Sequence, residues 1–172
     1  MTEGDAFDET AFLAAATSCG EGCVAFLEQL FARARTAGMH LDHGAGPVPA
    51  AVGWCVLDGT PAIAWVATVD RDARLEVLLA PLLERASSPP FDGIVRTLAS
   101  MPLLGPTLEG IPVGMSVQSV VLAVDELVAD PAQVATLLDV FDQIAGASTA
   151  TFATSRSVIG AYEWGERGEH GS

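Results

Sequence analysis

Between residues 50 and 69 apolar positions run almost unbroken on either side of Asp58-Gly59. Two strands joined by a tight turn account for this, because Asp-Gly supplies the positive φ values of a type I′ hairpin loop. A two-residue loop fixes the register. Leu57 then faces Thr60, Val56 faces Pro61, Trp54 faces Ile63 and Val52 faces Trp65. One face of the predicted hairpin carries Val52, Trp54, Val56, Ile63 and Trp65. The other carries Ala51, Gly53, Cys55, Ala62 and Ala64, flat enough for another layer to pack close against it.

Helical spacing dominates elsewhere. Phe12, Leu13 and Ala16 predict a short helix after Asp8 or Thr10. Val24, Leu27, Leu30, Phe31 and Ala34 predict a helix over 20–37, with Ser18 and Glu21 at capping-box spacing and Gly38 as its stop. Arg33 and Arg35 sit in its last turn, where they complement the helix dipole. Met39–Leu41 reads as a short strand. After the polar turn 70–74, Leu75, Val77 and Leu79 predict another, completing an antiparallel meander with the hairpin. Ser88 and Pro89 open a helix over 89–101, with Phe91, Ile94, Val95, Leu98 and Met101 on its apolar face. Residues 105–114 are turn-rich, with room for one short edge strand, since Pro112 forbids a central one. Val117–Val124 is apolar on both faces and predicts a central or doubly covered strand. Asp130-Pro131 caps a last helix over 131–145, with Leu137, Leu138, Phe141 and Ile144 on one stripe. The expected fold is α+β: an antiparallel sheet of about four or five strands with three main helices. Residues 1–19 form an acidic segment with a short helix, 20–146 the single domain, and 147–172 a polar, partly disordered tail in which Val158–Tyr162 has strand character. No repeat or linker divides the 172 residues.

Composition narrows the partners. Half of the residues are hydrophobic, yet the formal net charge is −14, and all eight basic residues are arginine. Such acidity repels phosphate backbones and argues against nucleic acid. The apolar excess, kept in solution by that charge, suggests surface meant for a second subunit or a partner. No stretch reaches the length of a membrane span, and the acidic start is the opposite of a signal-peptide head, so a cytoplasmic location is expected. Three cysteines without framework spacing imply free thiols.

Candidate chemistry is sparse. His40, Asp42 and His43 form the only cluster with the look of a metal site. On a strand His40 and Asp42 share a face, and His43 lies one residue beyond. Cys19 and Cys23 lie one helical turn apart, without zinc-site spacing. Asp70, Asp72 and Glu76 are explained by a polar hairpin turn. Gly44-Ala-Gly46 lacks the helix of a phosphate loop, and no nucleophile elbow occurs. No motif favours an enzyme, and no cofactor is expected. Trp54 and Trp65 fit either core or a binding face.

The order helix, three-stranded meander, helix, strand, helix resembles the type III secretion chaperones, including the Tir-chaperone group. The stretch from Gly105-Pro-Thr-Leu to Ile144 matches best: a glycine-led strand, the apolar strand Val117–Val124, the acidic link Asp125-Glu126-Leu127, then a last helix with Leu137, Leu138 and Phe141. The resemblance covers roughly residues 20–146. It implies a homodimer without catalytic residues that binds an extended polypeptide segment along its first helix and sheet. A partner segment would then lie against Trp54, Ile63 and Trp65, or against Phe26 and Leu30. The alternative is a small-molecule-binding protein, or a metal-dependent hydrolase using His40, Asp42 and His43.

Overall fold

The computed structural model describes residues 7–44, 46–112 and 117–148. The expectations for the first six residues and for the tail from 149, Val158–Tyr162 among them, lie outside the described residues. The fold is α+β. Five strands, β1 (His40–Gly44), β2 (Ala50–Leu57), β3 (Thr60–Val69), β4 (Ala73–Leu78) and β5 (Ser119–Ala123), form one antiparallel sheet in the order β1-β2-β3-β4-β5. The main helices are α1 (Glu9–Ala16), α2 (Glu21–Thr36), α4 (Phe91–Ser100) and α7 (Pro131–Gly146). Shorter ones are α3 (Ala80–Leu83), α5 (Gly105–Glu109) and α6 (Val124–Val128).

The hairpin forms as its residues dictate. Asp58 and Gly59 take φ of 52° and 77°, and Leu57–Thr60, Val56–Pro61 and Trp54–Ile63 face one another. Beyond that point the register slips. Gly53, not Val52, faces Trp65, leaving Ala64 as an extra residue in β3. The bulge moves Trp65 to the opposite face from Trp54 and Ile63, which corrects the expectation of one five-residue apolar face. A one-residue slip inverts every side chain beyond it.

Trp65 then becomes the centre of the core. It is fully buried, stacks on Phe31 of α2 with ring centroids 6.0 Å apart, and touches Phe141 of α7 at 6.3 Å. Its indole lies on Gly53. A Cβ there would come within 2.3 Å of Cε2, so the flat face of β2 is occupied by the hairpin's own tryptophan. The inner face, with Leu41, Ala51, Cys55, Leu57, Ala67, Leu75, Val77 and Leu122, joins all the main helices in one hydrophobic cluster. Val56 and Trp54, on the outer face, form a separate pair.

The helices follow their apolar stripes, with different ends. Asp8 caps α1 by accepting from Ala11 N at 2.8 Å, and Phe12 and Ala16 are fully buried, so this segment belongs to the domain. The capping box at Ser18 does not form. Residues 17–19 make a 3-10 turn, Ser18 Oγ donates to Ala15 O, and α2 starts at Gly20 with φ 103°. Gly38, at φ 84°, ends α2 as expected. Ser88 likewise does not cap α4 with its side chain. Asp130 does cap α7, accepting from Ala132 N and Gln133 N. Arg33 of α2 ties to α7 through Asp139 at 2.7 Å and through Asp142.

Two expectations fail around 105–124. Residues 105–109 are helical, since Pro106 fits the first turn of a helix better than a ladder. Among the described residues β5 is an edge strand paired only with β4, and Val121 on it is 58% exposed. Val120 and Leu122 face inward, Val121 and Ala123 stand on the outer face, and Val124, at the end of the run, already starts α6 and is buried there.

Candidate functional site

Of the five residues proposed to hold a partner, three are in the core. Phe26 and Leu30 face inward from α2, at 3% and 1% exposure, and Trp65 is wholly enclosed. Phe26 still floors a shallow groove of about 370 Å³ between α2 and α7, with Val134 and Leu138.

Trp54 and Ile63 remain together. They face each other across β2 and β3 on the outer side of the sheet, and both are half-buried. With Pro61, Leu78 and Pro81 they line an open groove of about 310 Å³. The alternation of the strands puts Trp54, Pro61, Ile63 and Leu78 on this face. α3 closes one end, because Pro81 in its first turn starts a helix directly after β4. Arg85, just past α3, fastens that helix to the hairpin tip. Its Nε donates to Asp58 Oδ2 at 2.7 Å and its Nη1 to Pro81 O at 2.8 Å. Nε and Nη1 of the guanidinium are therefore engaged, and the groove offers a partner mainly apolar surface. Pro61, Leu78, Pro81 and Arg85 were not singled out from sequence. The signal was available in Leu79–Arg85, an apolar run with proline at the first turn of a helix.

The outer face also carries Val52, Val56 and Val66, all buried in the middle strands. Toward β5 it becomes polar, where Ser119 Oγ donates to Glu76 Oε1 at 2.5 Å.

The residues with catalytic or metal-binding potential are not assembled. β1 places His40 and Asp42 on the outer face, opposite Trp54 and Val52, and His43 on the inner face, opposite Ala51. One strand cannot bring all three to one ion. Among the described residues no group of three or more His, Cys, Asp or Glu side chains is placed to hold a metal. Cys55 is buried, its Sγ 3.6 Å from Ala62 O, and burial pushes its thiol up to about 12 despite the opposing charge of Arg85. It is a thiol, not a nucleophilic thiolate, at neutral pH. Burial raises Cys23 as well, with Cys19 and Asp125 adding to the effect. Asp72 pairs with Arg74 in the β3–β4 turn, while Glu76 bonds Ser119, so the acidic trio is split.

Comparison with protein-family models, with curated proteins and with solved structures returns no match. Among the described residues no helix is long and apolar enough to cross a membrane.

Proposed function

We propose that the protein is a non-enzymatic, cytoplasmic, chaperone-like module that acts as a homodimer and binds a polypeptide segment in the Trp54 groove. The observation that carries this reading is the joint placement of Trp54 and Ile63 with Pro61, Leu78 and Pro81 on the sheet face opposite the main helices. An apolar floor with an aromatic wall suits the side chains of an extended segment, and tryptophan is the residue type most often central to such contacts. The Phe26 groove between α2 and α7 is a second seat for a helical segment. The outer edge of β5, which pairs with no other strand among the described residues and carries the exposed Val121, supports association with a second copy by strand pairing. The net charge of −14 favours a basic partner and gives salt-dependent association. The separation of His43 from His40 and Asp42 weighs against the hydrolase alternative built on those three residues.

Selection of peptides from a displayed random library, with affinities read by fluorescence anisotropy, tests the reading. Selected peptides should carry apolar residues flanked by basic ones. Trp54→Ala should weaken them roughly thirtyfold, from the usual cost of about 2 kcal/mol for truncating a central tryptophan. Peptides that bind Trp54→Ala and Ile63→Glu as well as the wild type, with both variants folded, would overturn the groove assignment.

A further inference from the structure

The aromatic core contains one titratable group that the proposed binding function does not use. His43, on the inner face of β1, meets Phe12 of α1 and Phe31 of α2 edge-on, at centroid distances of 6.4 and 5.8 Å. Both phenylalanines are fully buried, and His43 Nε2 is itself buried without a hydrogen-bond partner. A neutral imidazole can leave one acceptor unpaired there at moderate cost. His43 as a whole is half-buried, but an imidazolium would aim its Nε2–H at two aromatic rings with no acceptor there, which costs more than the unpaired neutral nitrogen.

The element best able to relieve that cost is α1. Its eight residues are followed only by the 3-10 turn at 17–19 and by Gly20, which at φ 103° is a natural pivot. α2 is by contrast tied to α7 through Arg33, and β1 is laddered to β2 along its whole length. We propose that His43 is an acid-sensitive latch for α1: the neutral ring holds Phe12 seated, and protonation releases Phe12 and α1 from the core. Local opening of one short element costs less than opening the domain.

Charged groups surround the ring from several of the elements that pack here. Asp8 and Glu9 belong to α1 and its cap, Arg35 to α2, and His40 and Asp42 to β1; β2 has none. Burial lowers His43 below the ordinary histidine value of 6.5, and Arg35 adds to that. Asp42 and Asp8 oppose it. Arg35 is itself paired with Glu9, so this ion pair is a second tie on α1. The sign follows. The open state takes up the proton more readily than the closed state, so docking of α1 is complete above pH 6.5 and weakens as pH falls below it.

NMR on the full chain tests this between pH 7.5 and 5. The His43 ring should titrate below 6.5. Hydrogen-exchange protection factors of α1 amides should fall by up to about tenfold per pH unit below that value, then level off under the His43 midpoint. Amides of α7 should keep theirs. His43→Phe should leave α1 protection flat with pH, and Phe12→Ala should show the released state throughout. A His43 midpoint at or above 6.5 would mean that the aromatic rings favour the cation, and would overturn the latch. So would α1 protection that does not change with pH, or a folded His43→Phe that keeps the wild-type dependence. If His43→Phe does not fold, the wild-type titration and exchange data decide alone. None of these readouts involves the Trp54 groove, so the latch and the peptide-binding reading fail separately.

Discussion

Replacing Gly53 with alanine tests the central packing argument, that β2 is flat because Trp65 lies on it. The added Cβ would stand 2.3 Å from Cε2, 2.5 Å from Nε1 and 2.6 Å from Cζ2 of the indole, where ordinary contact begins at 3.4 Å. The ring must therefore retreat by about 1 Å, and overpacking of a filled core typically costs 1–3 kcal/mol. It has nowhere easy to go. Phe31 stacks against it, Phe141 flanks it, and it is fully buried. Restricting the unfolded chain returns roughly 0.4–1 kcal/mol, so a net loss of roughly 1–2 kcal/mol is expected. Urea unfolding followed by circular dichroism measures it. Gly93→Ala is the control. Gly93 lies within α4 and a Cβ there meets nothing within 4 Å, so the same substitution should stabilise by roughly 0.5–1 kcal/mol. Combining Gly53→Ala with Trp65→Phe should recover part of the loss relative to the sum of the single changes, because the smaller ring leaves room. If Gly53→Ala lies within about 0.5 kcal/mol of the wild type, the indole is not seated on Gly53 and the bulge argument is wrong.

Three further outcomes are expected. Asp130→Ala removes the acceptor for Ala132 N and Gln133 N and a partner of Gln133 Nε2, and should cost about 1–2 kcal/mol in the same unfolding assay, whereas Ser18→Ala, whose side chain caps nothing in α2, should cost little. Iodoacetamide at pH 8 should label Cys19, which is partly exposed, well before Cys55, whose thiol lies near 12 and becomes reactive only on denaturation; mass spectrometry of peptides reads the order, and equal rates would contradict the burial of Cys55. Val121→Arg, on the exposed edge, should leave stability within about 0.5 kcal/mol yet shift sedimentation toward the monomer; an unchanged dimer would exclude β5 as the contact between copies.

Local signals in the chain were enough for most of the elements. Asp58-Gly59 could only be a primed turn between two apolar runs, Asp130-Pro131 could only begin a helix, and the stripes ending at Gly38 and Gly146 carry their own period and stop. These depend on neighbours within a few residues, so the sequence suffices to state them, and the α+β class follows from their sum. What tertiary structure alone decided depends on partners distant in sequence. Ala64 drops out of the ladder because the indole of Trp65 fits over Gly53 and against Phe31 and Phe141, and no short-range pattern announces that fit. The slip sends Trp65 inward and leaves Trp54 and Ile63 outside, so the candidate surface shrinks from five residues to two and gains Pro61, Leu78 and Pro81. The edge position of β5 was equally hidden, since an apolar strand reads alike at the centre of a sheet and at an edge flanked by short helices. His43 shows the same division: period two places it opposite His40 and Asp42, but only the docking of Phe12 and Phe31 makes its surroundings hostile to charge.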